Sequence, residues 1–147
     1  MTDLRPSTHW EDVEEGEELP VVRNSANQTQ LLTFSAITWN PHRIHYERDY
    51  ALSEGHADVI VHGPLQGAWL SQYVTDWIGP LGRMKRLKWQ NRGSALVGET
   101  VTFRGWVRRK YEQDGEHLVD VEVVEENSEG RVIMPGEFTA SLPTRSG

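Results

Sequence analysis

A chain of 147 residues is long enough for one domain with a full core. Its 37% hydrophobic and 25% charged residues place it among globular proteins. A formal net charge of −7 argues against nucleic acid as a partner, and the absence of cysteine excludes disulfides, Cys-ligated zinc and a thiolate nucleophile. No apolar run approaches the roughly 20 residues of a membrane helix. The opening Met1-Thr2-Asp3-Leu4-Arg5 lacks the apolar stretch of a secretory signal, so a cytoplasmic location is expected.

In chain order, residues 1–30 read as irregular, broken by Pro6, Gly16, Pro20 and Asn24-Ser25. The acidic run Glu11, Asp12, Glu14, Glu15, Glu17 and Glu18 reads as a solvated face, and residues 13–20 as a turn leading into a first strand. Residues 29–37 carry β-branched and aromatic side chains and are expected to begin as strand before turning helical. Residues 46–53 suit a short helix with Glu47, Arg48 and Asp49 outward and Tyr50, Ala51 and Leu52 partly buried.

Residues 64–78 are the strongest helix. Leu65, Ala68, Trp69, Gln72, Tyr73 and Trp77 recur at spacings of three and four, Pro64 suits the first helical position, and Gly79-Pro80 ends the segment. Strand-like runs follow at 86–91, 99–110, 118–125 and 131–142, the last two joined by a turn at 127–130. In 118–125, Leu118, Asp120, Glu122 and Val124 share one face, while Val119, Val121, Val123 and Glu125 share the other. One buried helix followed by consecutive antiparallel strands is an α+β layout, read as a single domain over 1–147 with flexible ends at 1–10 and 144–147.

Two segments carry chemistry. Asn40-Pro41-His42-Arg43-Ile44-His45-Tyr46-Glu47 puts an imidazole just after a turn, the group best suited to proton transfer near neutral pH. Val59-Ile60-Val61-His62-Gly63-Pro64-Leu65 puts a glycine at a helix start, where backbone N–H groups can approach a developing oxyanion. Together they suggest proton abstraction next to a carbonyl, or its reverse. Taken alone, without the surrounding motif, His45 reads rather as a buried, hydrogen-bonded histidine. His42 and His45 are spaced like a metal pair, but no pattern supplies a third ligand, so no metal is expected. His62 suits a bond across the turn before the helix, or a place against substrate. Trp69, Tyr73 and Trp77 suit packing. The cations Arg83, Lys85, Arg86, Lys88 and Arg92 either form a solvated face or meet the phosphates of a nucleotide-like carrier.

The stretch 34–51 resembles the MaoC-like, (R)-specific enoyl-CoA hydratase family. The likeness is closest to the branch of mesaconyl-CoA hydratases and type 2 3-hydroxyacyl-thioester dehydratases, which read T-x-N-x-H-R-I-H-Y-D before a short helix. The segments 60–65, 92–99 and 135–140 fit too, and the resemblance covers residues 10–143. It implies a hot-dog fold, a long central helix wrapped by an antiparallel β-sheet, assembled as a homodimer or higher oligomer, or with another hot-dog subunit. It also implies reversible addition of water to an α,β-unsaturated thioester of coenzyme A or acyl carrier protein, with no cofactor and no membrane partner.

Carried over by position, His45 takes the catalytic histidine, Asn40 the asparagine lining the site, and Gly63 the oxyanion-binding N–H. Thr38 could position water or substrate, and, outside the motif, His62, Arg83, Arg86 and Arg92 are the other residues expected to bind substrate. Thr38 stands two residues before Asn40, where the broader family has aspartate, and threonine cannot store a proton near pH 7. That departure leaves the second acid/base group open. It also sustains a non-catalytic hot-dog subunit dependent on a partner; a hot-dog thioesterase using Glu54 or Asp76 is a separate alternative.

Overall fold

A computed structural model describes residues 6–145. At its centre lies the helix α3, Gly63–Ile78. His62 enters it in extended conformation, with Pro64 in its first turn, where a missing N–H costs nothing. Gly79 ends it at φ 77°, its N–H bonded to the Thr75 carbonyl.

Around α3 wraps a five-stranded sheet built from β1 (Val22–Asn24), β2 (Arg83–Trp89), β3 (Val101–Gln113), β4 (Glu116–Glu126) and β5 (Val132–Ser141). Its order is β1-β3-β4-β5-β2, with every neighbouring pair antiparallel. β3 and β4 meet at Asp114-Gly115, where φ is 51° and 77°. Two consecutive left-handed residues make the turn whose twist matches that of the flanking strands, fixing the register from Gln113↔Glu116 onward. The helix seats against the inner face of the sheet through Tyr73 on Phe103 of β3 and Trp77 on Phe138 of β5, both with ring centroids 5.8 Å apart. This is the α+β hot-dog arrangement that the resemblance implies.

The buried stripe of α3 differs from the expected one. Ala68 and Gln72 are exposed, and Gln66, Leu70, Val74 and Ile78 join Leu65, Trp69 and Tyr73 in the interior. The buried arc is thus turned about the helix axis, away from the 68/72 row and onto the 66/70/74/78 row, because the side that the sheet and the preceding loop enclose decides which flank is buried.

The fourth side of α3 meets β2. A Cβ on Gly67 would stand 2.5 Å from the Trp89 ring, and one on Gly63 2.6 Å from the Asn91 amide nitrogen. These two glycines, one turn apart, let the end of β2 lie directly on the helix. Gly67→Ala is therefore expected to cost about 1–3 kcal/mol, as overpacking does. Denaturant unfolding checks it, and an unchanged midpoint would mean that Trp89 swings clear.

Before α3, two shorter helices, α1 (Gln28–Ile37) and α2 (Arg48–Ser53), carry the chain across the open mouth of the sheet. α1 is helical throughout, against the expectation of a strand at its start. Asn27 caps it, its Oδ1 accepting from the Gln30 N–H at 2.9 Å, and a good cap outweighs the weak preference of Thr29 and Thr33 for strand. The expected flexibility at 1–10 is not what residues 6–10 show: the Thr8 N–H bonds the Ile78 carbonyl and the Trp10 N–H that of Pro143. Residues 1–5 and 146–147 lie outside the described residues, and 144–145 are tied back where Arg145 pairs with Asp12.

Candidate functional site

The segment from α1 to α3 folds into a knot of polar groups around His45. α1 closes with the Thr38 N–H on the Phe34 carbonyl and the Asn40 N–H on that of Ser35. Between them Trp39 adopts φ 51°, the left-handed position that ends such a helix and normally falls to glycine. The chain then makes a single 3₁₀ turn, Arg43–His45. Ile60 holds this turn from both sides. Its N–H donates to the Ile44 carbonyl at 3.1 Å, and its carbonyl accepts from His45 Nδ1 at 2.8 Å. Ile60 is itself fixed, because Val61 and Val97 bond across to Ala95 and Val59.

The Ile60 bond decides the tautomer of His45. A carbonyl oxygen only accepts, so Nδ1 carries the proton and, in the neutral ring, Nε2 carries the lone pair. No described residue occupies Nε2. Burial lowers the His45 pKa, an effect partly offset by the Ile60 carbonyl and reinforced by His42 and His56, so the ring is neutral at physiological pH.

Beneath His45 lies His62, stacked at 3.7 Å between ring centroids with 19° between planes. His62 is wholly buried, its Nε2 is 2.8 Å from Ser35 Oγ, and Phe34 packs on it at 4.8 Å. Burial and the neighbouring His45 push its pKa down to about 4, so it too is neutral. Having no exposed surface, His62 cannot lie against a substrate and forms the back wall of the site instead. Its Nδ1 is buried without a partner among the described residues.

Gly63 follows immediately. Pro64 has no N–H, and those of Leu65 and Gln66 both bond the His62 carbonyl. The Gly63 N–H is thus the unspent donor of the first turn of α3 among the described residues, at the positive end of the helix. A neutral imidazole with a free lone pair therefore stacks on the ring of the residue that immediately precedes a free N–H at a helix start. The lone pair can take a proton and the free N–H can hold a negative oxygen.

The other expected residues are distributed less uniformly. Asn40 is half-buried on the approach to the turn, and its side-chain amide has no hydrogen bond among the described residues. Thr38 is exposed, its hydroxyl donating to the Phe34 carbonyl at 2.6 Å, so it serves the end of α1. Arg92 lies at the α3 end of β2 and bonds Gln90 at 2.8 Å. Arg86 points to the outer face, where Glu137 lies 3.7 Å away. Arg83 begins β2, about 25 Å along an extended chain from Asn91. The structure does not bring Arg83 and Arg86 to the His45 site. Glu47, two residues after His45, pairs with Arg43.

Ser35 and the Ile60 carbonyl are site components that the sequence does not announce. Ser35 had one signal, lying four residues after Leu31 on the buried side of α1. A backbone carbonyl has none. Beside the site, a groove of about 490 Å³ runs along α1, lined by Thr33, Phe34, Ile37 and Leu65 among others. Phe34 and Leu65 link it to His62 and to the first turn of α3.

The chain is similar to several known proteins. Residues 5–97 match the family described as hydroxyacyl-thioester dehydratase type 2. The β subunit of a 3-oxo-4,17-pregnadiene-20-carboxyl-CoA hydratase from Mycobacterium tuberculosis is 30% identical over 115 residues, covering 78% of this chain and 86% of that one. A mesaconyl-C(4)-CoA hydratase from Chloroflexus aurantiacus is 44% identical over 62 residues, 37% of this chain and 22% of the relative, so the chain matches about a fifth of that protein's length. Among solved structures, the ChsH1–ChsH2 complex of Mycobacterium tuberculosis has a chain superposing with a TM-score of 0.74 at 27% identity, over 88% of this chain and 98% of that one. An R-hydratase from Pseudomonas aeruginosa reaches 0.81 at 20% identity over 93% and 86%, a likeness of fold.

Proposed function

Since the chain belongs to the hydroxyacyl-thioester dehydratase type 2 family, we propose that it adds water reversibly across the double bond of an α,β-unsaturated acyl thioester of coenzyme A or acyl carrier protein. One observation carries this: His45, neutral and with its Nε2 free, stacks on His62, whose next residue, Gly63, has a free N–H at the start of α3. Hydration needs a base for water and a donor for the thioester oxygen, and nothing redox-active.

In the forward direction, His45 Nε2 takes a proton from water while the water oxygen bonds to Cβ. The electron pair of the double bond moves onto the thioester oxygen, giving an enolate that the Gly63 N–H holds. The enolate then collapses, and Cα takes the proton from the His45 imidazolium, so that one water has been added and the ring is neutral again. One such oxyanion donor is worth roughly 3–4 kcal/mol in the transition state. Asn40 orients the water. The apolar groove along α1 takes part of the acyl chain, and Arg92 is the cation at the site end of β2 for carrier phosphate.

A second arrangement has its own support. Thr38 leaves the site with no carboxylate in the motif, and one relative is named a β subunit while a similar structure is a two-component complex. A partner hot-dog subunit would then supply the remaining group or part of the pocket. One experiment separates the possibilities. The purified chain, alone and with a co-expressed neighbouring subunit, is mixed with a panel of 2-enoyl-CoAs while enoyl absorbance and free thiol are both followed. Loss of the enoyl band without thiol is the expected result. Thiol release would indicate a thioesterase, and activity only in the pair would indicate the two-subunit form.

A further inference from the structure

The Gly63 N–H is a single donor, and a developing enolate oxygen has room for a second. Asn91 stands next to it. Along β2 and its continuation, side chains alternate between the outer face and α3. Arg86 and Lys88 pair outward with Glu137, and Gln90 and Arg92 bond each other. Leu87 packs on the core, Trp89 lies on Gly67, and Asn91 lies on Gly63. The chain continues to pair with β5 on either side of Asn91, through the Gln90 N–H on Pro135 and the Arg92 N–H on Ile133, so its position is held by backbone.

The amide of Asn91 faces Gly63. Its nitrogen is 2.6 Å, and its oxygen 3.7 Å, from the point where a Cβ on Gly63 would lie. Neither atom has a hydrogen-bond partner among the described residues. An asparagine that merely capped a loop would spend its amide on nearby backbone, as Asn27 and Asn127 do here. Asn91 instead presents unspent N–H groups beside the one unspent N–H of the first turn of α3. The absence of a Cβ on Gly63 is what allows the approach, since φ there is not in the left-handed range.

We infer that Asn91 is the second oxyanion donor: its side-chain N–H and the Gly63 N–H together bind the thioester oxygen as it becomes an enolate. This rests on the hydratase reading. Asn91 forms and breaks no covalent bond; it accepts a share of the negative charge while His45 handles the proton.

The test uses the full chain, in whichever assembly hydrates an enoyl-CoA, and compares Asn91→Ala and Asn91→Asp with wild type. Asn91→Ala is expected to lose about 10²–10³-fold in kcat, with KM changed only a few-fold. Its unfolding midpoint should stay at the wild-type value, because the side chain is exposed and unbonded. Asn91→Asp, nearly the same shape, should be slower still, since a carboxylate there repels the enolate. Either of two results overturns the inference while leaving the hydratase reading intact: kcat within three-fold of wild type for Asn91→Ala, or an activity loss matched by a fall in unfolding midpoint. A wild type that hydrates no enoyl thioester in any assembly overturns the hydratase reading, and this inference with it.

Discussion

Replacing His45 with alanine is expected to lower kcat/KM for hydration by roughly 10²–10⁴-fold, the span that a positioned general base contributes. Alanine also removes the Nδ1 bond to Ile60, so a second variant isolates the proton-transfer role. In His45→Asn the side-chain amide can still donate to the Ile60 carbonyl, but nothing stands where Nε2 was. If the account is right, the asparagine variant keeps the fold and is as slow as alanine. Restored activity in the asparagine variant would mean that His45 only holds the turn. The pH profile gives a further reading. The base works as the neutral ring, and burial holds its pKa below the ordinary 6.5 of histidine. Activity should therefore persist down through pH 6.5 and fall only as pH drops below it. An acidic limb centred above 6.5 would contradict the burial of His45.

The second large effect is on stability. Glu125 lies on the core face of β4 with no exposed surface. Its Oε1 accepts from Gln66 Nε2 of α3 at 2.9 Å, and its Oε2 has no partner among the described residues. Burial raises its pKa to about 7, against the smaller opposing effect of the Gln66 bond. The folded chain thus holds this proton more tightly than the unfolded chain, whose carboxyl titrates near 4.5. Stability from this group is complete below pH 4.5 and is lost as pH rises to about 7, a loss of about 3 kcal/mol in all. Glu125→Gln stays neutral at every pH and keeps an oxygen for Gln66. Urea unfolding across pH 4 to 8 is expected to show the variant losing this slope and exceeding wild type at pH 8. Parallel curves for the two proteins would show that Glu125 ionises freely.

Much of this was legible in the chain. The alternation in 118–125 puts Glu125 on one face with Val119, Val121 and Val123, so a carboxylate among apolar side chains is legible in the sequence. Pro64 and Gly79 bracketed α3 because both act locally, through one missing N–H and one positive φ. The pairing of a histidine after a turn with a glycine before a helix pointed to the site for the same reason. Most of what escaped depended on distance in the sequence. The bond that sets the His45 tautomer comes from a backbone carbonyl fifteen residues on, and such groups leave no trace in residue type. Asn91 approaches Gly63 across 28 residues, by way of the β2 register. The helical start of α1 was missed because a single capping asparagine outweighed a strand-like composition. Which flank of α3 is buried depends on how the sheet curls around it, a property of five strands together. Arg83 and Arg86 clustered with Arg92 in sequence, but a strand spreads neighbours along some 3.3 Å per residue and onto opposite faces.

The most direct measurement is hydration in water enriched in the heavy oxygen isotope, with wild type and His45→Asn side by side and the acyl product analysed by mass spectrometry. The account predicts heavy oxygen in the β-hydroxyl group of the wild-type product, and a rate of labelling lower by roughly 10²-fold or more with the variant. Heavy oxygen in a released carboxylate, or equal labelling by both proteins, would contradict it.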